Sequence, residues 1–211
     1  MHLFAIVLVL VIGGMFVGGS LLLACRSQKK SRRKKALTAC GGVLMAIGGL
    51  GFFGTALSAS GGLRWLPSNF EWPVGFASGV LIMTDGKQVV PLTAAGRIQV
   101  YDSEWRFLRG WYVDAGAGIF KIRPKDNKIE VITARGRMRY LYTIDGSLLS
   151  QDSYVPQSYA DFPAHGQSAV VPTRWWLWLF SHPFFSWATG AAGMLLLILI
   201  DKGILGKNRV W

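Results

Sequence analysis

The side chains best suited to metal binding or acid–base catalysis are few and scattered. The chain holds three histidines, His2, His165 and His182, and two cysteines, Cys25 and Cys40. No histidine has an HxH or HxxH partner or a neighbouring thiol, so no metal site is expected. Asp161, His165 and Ser168 come nearest to a hydrolytic constellation, but a solvent-facing loop histidine is the plainer reading. P-loop, dinucleotide and GxSxG signatures are missing. No catalytic residue and no cofactor are therefore expected, and the chain does not read as an enzyme. Asp85, Asp126 and Asp145 fall in turn sequences, where carboxylate–backbone bonds account for them. Surface recognition is better represented. Trp105, Arg106, Arg109, Trp111 and Tyr112 form a cationic and aromatic cluster of the kind favoured at protein interfaces. Strand alternation, with one face in a core and the other wet, gives the same pattern.

The elements that must hold these residues are unevenly built. Leu3–Ala24, Ala36–Leu57 and Phe184–Ile200 contain no charge. At about 1.5 Å per residue, roughly 20 apolar residues cross a hydrocarbon core of about 30 Å. Three transmembrane helices are expected, spanning 3–24, 36–57 and 184–201. No ionisable residue lies inside the uncharged blocks, which disfavours proton relay or ion transport by this chain alone.

The net charge of +12 is concentrated beside those blocks. Arg26–Lys35 holds seven Lys/Arg and no acid, whereas residues 58–172 hold twelve bases against ten acids. Such a strip reads as a topology signal and a contact for anionic lipid, not as a nucleic-acid site. The loop 25–35, with Arg32, Arg33, Lys34 and Lys35 at its end, is expected in the cytoplasm, as is the tail 202–211. The N-terminus and residues 58–172 then lie outside an inner (plasma) membrane. Leu22-Leu23-Ala24-Cys25 resembles a lipobox, but Met1-His2 carries no Lys or Arg and the cationic run would resist export. Cys25 and Cys40 stay free in a reducing compartment, and the outer domain has no cysteine.

The apolar blocks are rich in small residues. Gly14 and Gly18 make a GxxxG step, and Gly42, Gly49, Ala188 and Ala192 extend the small faces. Small faces let helix backbones approach closely in lipid. They serve either packing within the chain or docking onto another subunit. Trp175, Trp176 and Trp178, in the segment 173–183, read as a short interfacial helix, with Trp65 and Trp72 as a matching anchor.

The outer domain repeats. Gly79–Thr84, Asp85-Gly86-Lys87 and Thr93-Ala94-Ala95-Gly96-Arg97 return about 40 residues on as Gly118–Arg123, Asp126-Asn127-Lys128 and Thr133-Ala134-Arg135-Gly136-Arg137. A further strand-like run follows each Gly-Arg, and each copy closes alike at Arg106-Phe107-Leu108 and Ser147-Leu148-Leu149. Each copy, about 79–113 and 118–155, reads as a four-stranded antiparallel meander, with Asp-Gly and Asp-Asn supplying the left-handed torsions of tight hairpins. Ile98–Leu108 and Tyr140–Leu149 resemble blades of NHL-type β-propellers over about a third of the chain. That resemblance implies a blade-like fold, yet closure needs at least four blades and this chain has room for two. The meanders are expected to pack on each other, to rest on a partner, or to complete a propeller among several copies as a homo-oligomer.

The expected class is membrane α plus all-β, with three spans and one extracytoplasmic β domain. The expected function is a non-enzymatic accessory or scaffold subunit of a larger bacterial membrane complex, with membrane lipids and other membrane-protein subunits as partners. The alternative is a membrane-anchored sensor or ligand-binding module.

Overall fold

The computed structural model describes residue 19, residues 32–163 and residues 166–205. Of the expected first span only residue 19 is among them; Gly14 and Gly18 lie outside, as do Cys25, the basic loop up to residue 31, His165 and the tail beyond Leu205. The chain divides into a helical unit, which takes in 32–54 and 182–205, and a β unit, Thr55–Ser181.

In the helical unit, helix α1 runs Arg32–Ala59, its last turn belonging to the β unit. It starts earlier than the apolar block does. Arg32, Arg33, Lys34 and Lys35 form its first turn, because Arg and Lys are good helix formers and only their charge, not their backbone preference, marks a boundary. The second long helix of this unit covers Pro183–Asp201. His182 caps it, its Nδ1 accepting from Phe184 N at 3.2 Å, and Pro183 occupies the first turn, where no amide donor is needed. Both helices are long and apolar enough to cross a membrane.

The β unit holds two antiparallel sheets. Strands β1 (Phe76–Ile82), β2 (Gln88–Leu92), β3 (Arg97–Tyr101) and β4 (Phe107–Tyr112) form one meander, and β5 (Phe120–Lys125), β6 (Lys128–Thr133), β7 (Met138–Tyr142) and β8 (Leu148–Ser153) the other. The turn residues act as their types require: Gly86 has φ +80°, and Asp126 and Asn127 have φ +48° and +57°. The first sheet has five strands. The segment between Val155 and Pro172, which reads as a connector, contributes a short helix, Gln157–Ala160, and strand β9, Gln167–Val170. β9 pairs antiparallel with β1, giving the order β4-β3-β2-β1-β9. With only four residues and no apolar run, β9 has little local strand signal; the open edge of β1 recruits it.

The sheets share one core. Val89, Ile98 and Val100 from the first meet Ile122, Ile129, Val131, Tyr140 and Tyr142 from the second. Period-2 alternation puts Arg97, Gln99 and Tyr101 on the opposite face of β3. There a second cluster includes Trp72, Val74, Val90, Leu92 and Tyr101.

Candidate functional site

Three features of the described residues are candidate sites. The first is the face of β3 that turns away from the shared core, covered by the stretch between Ser60 and Gly75. Gln99, fully buried, serves that stretch as a backbone would. Its Oε1 accepts from Trp72 N at 2.5 Å and its Nε2 donates to Trp72 O at 3.0 Å. Nε2 also reaches the Tyr101 hydroxyl at 2.8 Å, and that hydroxyl donates to Glu71 Oε1 at 3.0 Å. Burial first, and then the Glu71 carboxylate, push the Tyr101 hydroxyl well above the usual phenol range. Two positions along, Arg97 is 1% exposed, and neither Nε nor Nη2 has a hydrogen-bond partner. Burial works against its charged form. Its Cζ lies 5.9 Å from the centre of the Phe70 ring.

The second feature is a cavity of about 310 Å³ lined by residues of β1, β2, β5 and β9, with Ser78, Thr93, Lys121 and Ser168 as its polar groups. Lys121 Nζ is held in place, donating to Tyr159 O at 3.0 Å and Phe162 O at 3.1 Å. The adjoining outer face of the second sheet carries a buried carboxylate. Glu130, 2% exposed, ion-pairs with Arg123 and approaches Arg139 at 3.6 Å.

The third lies in the helical unit. The long helices cross at glycines: a Cβ on Gly48 would land on the backbone of Gly190, and one on Gly193 would sit 2.6 Å from Gly41 O. Beside this crossing Met45, Phe52, Trp187 and Met194 help to line an apolar groove of about 330 Å³. The glycines that set the crossing are thus Gly41, Gly48, Gly190 and Gly193. Of the small residues singled out from sequence, Gly42 is buried, Gly49 and Ala188 are half-buried, and Ala192 is exposed. Helical phase separates the sets: Gly41 and Gly48 are two turns apart on one stripe, a spacing legible in the sequence had the phase been followed.

No family model, curated protein or solved structure matches this chain.

The cationic and aromatic cluster of β4 is largely engaged within the β unit. Arg109 pairs with Asp145 at 2.7 Å, linking the two meanders, and Arg106 pairs with Asp102 at 2.6 Å and Glu104 at 3.3 Å. Trp111 packs on Tyr142 with ring centres 5.8 Å apart, and Gly146 leaves room for its indole. The Tyr112 hydroxyl donates to Ala59 O at 3.4 Å. Trp105 holds a left-handed φ of +63° and lies against Tyr101. Among the tryptophans read as membrane anchors, Trp175 is 84% exposed and Trp176 46%. Trp178 is half-buried and donates Nε1 to Thr173 O. Trp65 is exposed too, but Trp72 belongs to the core, where Gln99 clamps its backbone. A Trp in an aromatic-rich connector looks the same from sequence whether it faces lipid or a sheet. Among the described residues no three His, Cys, Asp or Glu are grouped as a metal site requires.

Proposed function

We propose that the chain is a membrane-anchored accessory or scaffold subunit of a larger membrane complex, without catalytic activity of its own. The observation that carries this reading is the helical unit. Two apolar helices meet at a glycine crossing and leave Met, Phe and Trp side chains around an open apolar groove. Lipid offers no hydrophobic drive for helix association, so close backbone approach and shaped apolar surface are what a subunit contact in the bilayer uses. The exposed tryptophans Trp175 and Trp176 suit the headgroup level. The apolar block 3–24 would supply a third span, and the basic run would keep the loop 25–35 and the tail in the cytoplasm, with the β unit outside. Each meander keeps its four strands in sequence order, and β9 occupies the β1 edge.

Purification in mild detergent followed by mass spectrometry tests this. Stoichiometric membrane-protein partners are expected; recovery of the chain alone in repeated preparations would refute the subunit reading. The cavity walled by β1, β2, β5 and β9, with its three hydroxyls and one lysine, favours a second reading, an extracytoplasmic ligand-binding module. That reading expects Lys121→Ala to abolish a saturable ligand-induced melting shift without loss of fold.

A further inference from the structure

We infer that Arg97 is the core of a binding site for a phosphate-bearing headgroup at the membrane surface, an inference that rests on the membrane reading of α1. A guanidinium cannot shed its charge in a protein, and removing it from water without an anion is strongly unfavourable. The charges around Arg97 do not supply that anion. Among the described residues Arg97 is in no ion pair. Glu71, further along the same face, accepts from Tyr101, and Asp114 accepts from Gly116 N at 3.4 Å. Arg64 raises the local positive charge. It is exposed, also without an ion pair among the described residues, and near enough to Tyr112, the ladder partner of Arg97, to act on its hydroxyl.

The place fits a lipid headgroup. The residue before Arg97 is Gly96, where a Cβ would lie 3.2 Å from Ala59 Cα, and Ser58 Oγ donates to Ala95 O at 2.7 Å. The last turn of α1, itself part of the β unit, therefore packs one residue from this arginine. Phe70, the ring over the guanidinium, is itself 37% exposed, while Nε and Nη2 are buried, so a headgroup reaches them only when this cover moves aside. Nε and Nη2, both partnerless, are the two donors of a guanidinium fork, which matches two phosphate oxygens.

The test uses the full chain purified in mild detergent. Wild type is expected to retain about one phospholipid per chain through detergent exchange, read by native mass and phosphorus content. Arg97→Gln should lower that occupancy by roughly tenfold, and Arg97→Lys, a point charge without the fork, should fall between. Delipidated wild type is then melted with inorganic phosphate and with vesicles of phosphatidylglycerol. A melting rise with phosphate alone, lost in Arg97→Gln, assigns the site to free phosphate; a rise only with the vesicles assigns it to the headgroup. Neither retained phospholipid nor a rise with either probe in wild type overturns the site, as does equal retention by Arg97→Gln. Should Arg97→Gln not fold, Phe70→Ala replaces it: faster lipid exchange is expected, and retention and exchange identical to wild type overturn the site. A chain found in the soluble fraction would refute the membrane reading; one that stays in the membrane without phosphate refutes only the site.

Discussion

Replacing Gln99 with leucine removes a clamp of stated geometry. Leucine is close in size to glutamine, so the packing against Trp72 and Tyr101 changes little, while the hydrogen bonds to Trp72 N and O vanish. Both backbone groups are then buried without partners, since the Trp72 amide and carbonyl face the side chain that was lost. Each unsatisfied buried group costs about 1–3 kcal/mol, so the β unit should lose roughly 2–6 kcal/mol. For a unit of this size, about 3–5 °C accompanies each kcal/mol, giving a melting point lower by roughly 6–30 °C. Near-ultraviolet circular dichroism of the detergent-solubilised chain follows the aromatic packing of this face directly. Gln151→Leu, on the exposed edge strand β8, is the control and should move the transition by no more than about 2 °C. If Gln99→Leu melts with the control, the bridge does not hold the stretch between Ser60 and Gly75 and the account of the covered face fails.

The glycine crossing predicts that Gly48→Leu separates the long helices, because its Cβ would meet Gly190 backbone and not a flexible side chain. Disulfide trapping between cysteines introduced at Gly41 and Leu197 should fall sharply in that variant, and unchanged trapping would refute the contact. Arg109→Ala breaks an exposed ion pair with Asp145, which is worth about 0–1 kcal/mol. It should barely change the melting point, so a marked loss of a co-purified partner would mark Arg109 as a contact residue, and equal recovery would remove it from the partner surface. The tyrosines set the alkaline limit. Burial, then Asp114, pushes the Tyr112 hydroxyl up to about 12, and burial raises Tyr101 and Tyr142 as well. Folding thus favours the protonated phenols, so their contribution is intact below the ordinary value of about 10 and is lost as pH rises through the folded values. Melting points should hold to about pH 9 and then fall, in step with phenolate absorbance near 295 nm; early titration of all six tyrosines in the folded chain would contradict this.

Much of the β unit was legible because its signals are local. Alternating apolar residues and turn dipeptides such as Asp85-Gly86 and Asp126-Asn127 specify hairpins within a few residues, and both meanders stand where the repeat puts them. What escaped the sequence depends on distant pairing. β9 becomes a strand only because β1 offers an edge, and Trp72 becomes core only because Gln99 lies opposite. The helix crossing illustrates a different loss: many glycines were visible, but which ones meet depends on the phase of two helices and not on composition. The candidate sites divide the same way. The β4 cluster is visible as a run of residue types, whereas Arg97 stands in the repeat only as the second residue of a Gly-Arg turn. An arginine that follows Gly-rich turns at a strand start reads as solvent-facing until its neighbours are known.

The pairing of β9 with β1 also sets an order of events in biogenesis. Phe76 pairs with Val170, and the next hydrogen bonds join Gly75 with Val171 and Thr173. The first meander can therefore form hairpin by hairpin as it emerges, but its inner edge stays open while the entire second meander is made. Only when residues 167–173 have left the ribosome can that edge be shut, immediately before the last apolar helix is synthesised. A chain cut short anywhere before β9 would present an open β-edge to any other extended polypeptide, so truncation products should be more prone to aggregation than their core content suggests.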